Sequence, residues 1–270
     1  MNKNMIGGIR FMSHFTVGVI VKNPNDLESV LAPYNEQDEN YMEKEIEWTK
    51  EGYIKYYRDQ HPENCLTDEA IWDAAKLEYG ANRCDDENIY GYYNPDARWD
   101  WWVIGGRWRY KLKVPKDVEQ IKDMDFFAGE PRKQRGKNRW VDGAKIKDIK
   151  WTDMNRPTTE QLKNMGRFWD VVVDGAPKEE GEDFGWHYKS EYYKDMYGTK
   201  ENYIMKECMF YTHDLLDGIN NEWYTMGDMG WFGCDASTRE SFEAYLQDFY
   251  EIIQRPEYQD YWFIMVDCHI

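Results

Sequence analysis

The chain of 270 residues is poor in paired cysteine, in aliphatic residues and in net positive charge. Its five cysteines, Cys65, Cys84, Cys208, Cys234 and Cys268, are odd in number, scattered, and form no Cys-x-x-Cys pair. That spacing argues against a disulfide framework and against a structural zinc site, and it fits free thiols in a reducing cytoplasm. Long apolar runs are also missing. Phe15 to Val21 is far shorter than the roughly 20 residues a membrane helix needs, and no signal peptide is visible. With 34 Lys and Arg against 51 Asp and Glu, the formal net charge is −17, which disfavours general nucleic-acid binding or an anionic membrane surface. Several catalytic signatures are absent too. There is no Walker loop, no Gly-x-Gly-x-x-Gly after a strand, no Gly-x-Ser-x-Gly elbow and no His-Glu-x-x-His. No cofactor and no metal site is expected.

What the chain has instead is aromatic residues, 17% of the total, with 13 Trp and 21 Tyr. They must carry much of the core in place of Ile, Leu and Val. Their densest stretch is Asn94 to Trp108, which holds Trp99, Trp101, Trp102 and Trp108. Asn94-Pro95-Asp96 has turn chemistry, Trp99 to Ile104 has strand character, and Gly105-Gly106 permits a sharp turn or a close backbone approach. Arg107 then adds a rigid fork of donors beside the Trp108 indole. Aromatic faces with an Arg fork suit a flat, anionic ligand. The same residues also suit a Trp-rich core corner with Asp100 and Arg107 as a structural ion pair.

In chain order, residues 1–11 read as a loose leader and 12–270 as a single α+β domain. The strand Met12 to Val21 is apolar nearly throughout and so central. Residues 37–60 are charged with apolar spacing near the helical period, and Thr67-Asp68-Glu69 opens a further helix through Ile71, Trp72, Ala75 and Leu77. Together 37–90 reads as a helical insertion before the Trp-rich stretch, serving as lid, dimer arm or packing. Self-association therefore stays open. Strands are expected over 110–114, 144–151, 169–173, 203–211 and 222–225, the last closing a hairpin. The basic run Arg132 to Arg139 reads as a solvated loop. A capping box at Ser237 to Glu240 opens a helix ended by Pro256, and Tyr261 to Ile270 is another buried strand. The expected architecture is a mostly antiparallel central sheet with its N- and C-terminal strands adjacent and helices on one face.

That adjacency gives the chain its chemistry-bearing residues. His14 opens the first strand and His269 closes the last, so antiparallel neighbours bring both imidazoles to one sheet edge. Asp267 alternates onto the His269 face and Thr16 onto the His14 face. His14-Phe15-Thr16 has the spacing of one half-motif of the two-histidine phosphoesterases. The second half fails, because nothing hydroxyl-bearing stands two positions after His269, His213 or His187.

Met12-Ser13-His14-Phe15-Thr16-Val17, Leu31-Ala32-Pro33-Tyr34-Asn35-Glu36, Trp99-Asp100-Trp101 with Gly105-Gly106-Arg107-Trp108, Met229-Gly230-Trp231-Phe232-Gly233 and Val266-Asp267-Cys268-His269-Ile270 stand in this order. In these blocks the chain resembles a widespread family of uncharacterised phage and prophage proteins, over nearly its whole length from Met12. The chain departs from that pattern in its leader and at Trp102, where tyrosine is more usual. The resemblance implies a phage context, in the cytoplasm of an infected bacterial host, and no chemistry.

Three readings follow. In the first, the protein captures a small nucleotide-like host signal, an immune signal in a phage context. Trp99, Trp101, Trp108 and Trp231 stack on bases, Arg107 holds phosphate, and Thr16, Tyr34, Glu36, Asp100, Gly105, Gly106 and Asp267 line the pocket. In the second, His14 and His269 act as base and acid in hydrolysing a cyclic or phosphodiester signal. In the third, an acidic surface inhibits a protein partner or mimics nucleic acid.

Overall fold

The apolar run that follows His14 becomes β1, His14–Val21, in which every residue after His14 is buried. It is flanked on both sides. β10, Trp262–His269, pairs with it antiparallel in a register that sets His14 opposite His269 and Thr16 opposite Asp267. β8, Asp214–Asp217, pairs with it in parallel on the other side. The computed structural model describes residues 14–119, 121, 137–228 and 236–270.

The contacts divide the chain into two compact units. The larger comprises the residues up to Val30 together with Trp101–Ile270, and the smaller is Leu31–Asp100. The main sheet belongs to the larger unit. β4, Trp101–Ile104, and β7, Gly143–Lys145, share the outer edge of β10, and β9, Glu222–Thr225, closes the opposite edge as a hairpin with β8. Between the stretches paired to β4 and β7, Met265 gives its N–H to Asp142 O and takes the N–H of Gly105 on its own carbonyl. The fold is thus α+β, with a mostly antiparallel central sheet whose first and last strands are neighbours, as the sequence predicts.

Helices pack against the face that carries Ile20, Leu215, Phe263 and Met265. The principal one is α8, Arg239–Ile253, opened by a capping box between Thr238 and Ser241. Its Phe249 is fully buried, and the rings of Trp151, Phe210, Tyr245, Tyr250 and Phe263 lie 5.3–6.4 Å from it. Aromatic edge-to-face packing therefore does the work that scarce aliphatic residues cannot.

Some expected elements differ. Residues 37–60 do not form one helix. Glu43, Glu45 and Glu47 alternate with Lys44, Ile46 and Trp48, a strand period, and Glu43–Thr49 forms β2 against β3, Asn88–Tyr93. Thr49 then caps α2, Lys50–Gln60, and Thr67 caps α3, Asp68–Tyr79. Both helices pack on Ile89 of β3, so the segment is a strand pair with two helices and not a purely helical insertion. Residues 203–211 fall mostly in α7, Lys200–Cys208, whose cap Thr199 and ring stacking of Tyr203 on Phe168 override a β-like composition. Trp169–Val173 is a π-helical turn continuing α5, Thr159–Phe168, with Asp174 N–H reaching back to Trp169 O. Packing of Trp169, Val171 and Val173 prevails there over the strand preference of valine. The strand expected at 144–151 ends at Lys145, because Ile146 and Lys147 give their N–H groups to Tyr261 and Gln259.

Replacing Phe249 by Ala removes the ring on which five others converge. We expect it to destabilise the larger unit by about 3–5 kcal/mol, measured by urea denaturation.

Candidate functional site

The alternation of β10 and the β1–β10 register bring His14, His269, Asp267 and Thr16 onto one face. β4 adds Trp101 opposite His269. Three rings meet at this corner. The imidazoles of His14 and His269 lie 5.0 Å apart, Trp101 stacks on His269 at 5.4 Å, and its edge meets His14 at the same distance. Beneath them Asp267 is fully buried. Its Oδ1 lies 2.8 Å from His14 Nδ1 and its Oδ2 accepts the Arg107 backbone N–H at 2.8 Å. The side chain of His14 is 2% exposed, and its Nε2 has no hydrogen-bond partner among the described residues.

The Gly105-Gly106 turn is built around carboxylates. Both glycines have positive φ, +71° and +48°. A Cβ on Gly105 would sit 2.7 Å from Cγ of Asp142, and one on Gly106 would sit 2.7 Å from Cγ of Asp267. The close approach that a double glycine allows is therefore made to two buried aspartates of the protein itself. Asp142 also accepts the backbone N–H of Tyr110, which stands at φ +56°. Arg107 N–H is taken by Asp267, and Trp108 N–H by Gly105 O. These three N–H groups are thus engaged within the protein, while the Arg107 side chain is exposed. Its guanidinium makes no ion pair with a described residue.

Burial pushes the Asp142 carboxyl above the usual carboxylate range, and the Tyr110 N–H and Arg109 oppose the shift. Burial also raises the Cys268 thiol well above its ordinary value, with Asp214 and Asp267 adding to it. Cys268 is therefore a packed thiol and not a nucleophile. Among the described residues no group of three or more His, Cys, Asp or Glu could hold a metal ion, and no helix is long and apolar enough to cross a membrane.

The sequence-derived candidates divide between the two units. His14, Thr16, Trp101, Gly105, Gly106, Arg107, Trp108, Asp267 and His269 belong to the larger one. Thr16 Oγ1 accepts the N–H of His213, and Trp108 is half-buried against the main core. Tyr34, Glu36, Trp99 and Asp100 belong to the smaller unit. There Trp99 is 1% exposed with its ring 5.8 Å from Tyr34, so packing takes up its faces. Its carbonyl accepts the N–H of Glu36. Trp231 lies outside the described residues.

Two features escaped the sequence reading. Asp142 is a lone acid in Val141-Asp142-Gly143, an apolar setting that was the available signal. His213 Nδ1 lies 2.9 Å from Asp214 Oδ1, making a second His–Asp pair at the start of β8.

Two outcomes test this corner. Gly106→Ala should drive a methyl into Asp267 at a left-handed backbone position, costing about 2 kcal/mol or more in denaturant unfolding. For Asp142 the folded state favours the protonated acid. Its contribution is fully present below the ordinary Asp pKa and is lost as pH rises through the raised folded value. Stability of the native protein relative to Asp142→Asn should therefore fall over that window, as read by thermal unfolding across pH.

No family model, no curated protein and no solved structure matches the chain.

Proposed function

We propose that the protein binds a small nucleotide-like anion at the corner where β1, β10 and β4 meet, as a phage protein capturing a host signal in the bacterial cytoplasm. The observation that supports this reading is the double use of Asp267. One carboxylate orients the His14 imidazole and anchors the backbone of Arg107, whose guanidinium is exposed. Arg107 then takes a phosphate in its fork, and Trp101 and Trp108 offer ring faces to a base. The charge of −17 suits such a role, because it suppresses adventitious binding to nucleic acid while one placed cation recognises a small anion.

A second reading, hydrolysis of a phosphodiester signal, is favoured by one observation. Two imidazoles stand 5.0 Å apart, and Asp267 orients one of them. In that reading His14 is the base and His269 the acid.

The experiment incubates the protein with cyclic dinucleotides and ADP-ribose derivatives, separates bound from free, denatures the protein, and identifies the released molecule by mass. Capture predicts an intact ligand released only on denaturation, with retention weakened at least about tenfold in Arg107→Ala. A converted product lost in His14→Ala replaces capture by hydrolysis. No retention and no conversion overturns both.

A further inference from the structure

Resting on the ligand site proposed above, we infer that Asp267 fixes His14 as the Nδ1–H tautomer. Its buried Nε2 then acts as a hydrogen-bond acceptor, built to receive a hydroxyl of the ligand's sugar.

The inference starts from donors and acceptors. A buried carboxylate is an acceptor only, so the 2.8 Å contact between Asp267 Oδ1 and His14 Nδ1 requires the proton on Nδ1. The other carboxylate oxygen already accepts the Arg107 N–H, which fixes the orientation of the group. With that proton on Nδ1, the neutral form of the imidazole has its lone pair on Nε2. That atom is shut off from solvent and meets no partner among the described residues. A buried acceptor left without a donor is costly, and native proteins rarely keep one without use. The rings of Trp101 and His269 lie 5.4 and 5.0 Å from the imidazole of His14. A phosphate oxygen is the wrong partner for a lone pair. An alcohol is the right one, because it brings the missing proton. Phosphate and hydroxyl thus separate: the Arg107 side chain suits the anion and His14 suits the sugar. A nucleotide with a free ribose hydroxyl carries both groups, whereas its deoxy counterpart leaves Nε2 bare.

Asp267 is then a positioning residue that acts through His14, and its isosteric amide makes the test. In Asp267→Asn the amide oxygen can still accept the Arg107 N–H. The amide N–H now faces Nδ1 and moves the imidazole proton to Nε2.

The experiment labels the histidines with 15N and records long-range 1H–15N correlations at a pH where His14 is neutral, with His14→Gln assigning its signals. The native protein should show Nδ1–H with a lone pair on Nε2, and Asp267→Asn should show the reverse. Binding of cyclic dinucleotides and ADP-ribose is then compared with their deoxyribose counterparts. The ribose forms should bind at least about tenfold more tightly, and Asp267→Asn should narrow that preference. An Nε2–H native tautomer, or equal binding of ribose and deoxyribose forms, overturns this inference and leaves the ligand site standing. Failure of both sugar series to bind overturns the hydroxyl role and the ligand site together, even where the tautomer is as stated.

Discussion

The corner of the main sheet depends on one carboxylate. Asp267 sits fully buried on the last strand and touches two separate pieces of chain, the imidazole that begins β1 and the peptide N–H at Arg107. An unpaired buried carboxylate would be strongly unfavourable, so these two hydrogen bonds are conditions for Asp267 to be there at all. The constraint runs outward from it. The glycine at 106 follows because a side chain would overlap Asp267, and the glycine at 105 because one would overlap Asp142. The path of the loop follows from both, and with it the direction in which Arg107 leaves the surface.

The rest of the larger unit supports this corner by packing large rings instead of branched aliphatic chains. Rings meet edge to face around Phe249, and α8 holds them against the sheet. The polar groups cluster at the end of the same face, beyond Met265. A dry, rigid core thus runs directly into a polar corner. Such a support is what keeps catalytic or binding side chains in one orientation.

Much of this was legible in the sequence, and the reason is period. The runs at 14–21 and 262–269 are apolar over most of their length on both faces, which marks central strands, and their antiparallel pairing brings His14, Thr16, Asp267 and His269 together by alternation alone. Thr67 marks the start of α3 through its cap. What composition misreads is where packing overrides propensity. The Val171-Val172-Val173 run sits in a π-turn, and the tyrosine-rich 203–208 stretch is helical. Asp142 was missed because its partner is a backbone N–H 32 residues away, a contact that leaves no pattern in the side chains. Trp99 illustrates a different limit. A tryptophan that fills a core and one that stacks on a ligand look alike in a sequence, and only burial separates them.

The His14–Asp267 contact joins residues 253 positions apart. Closing so long a loop is slow, and its entropy is repaid only once the strands have zipped together. During synthesis β1 is made long before its antiparallel neighbour, β10. In the interval β1 is a bare, apolar strand with both hydrogen-bonding edges open, the kind of segment that nascent chains must shield from aggregation. Without β10, the His14 imidazole and the Arg107 N–H have no carboxylate to join them.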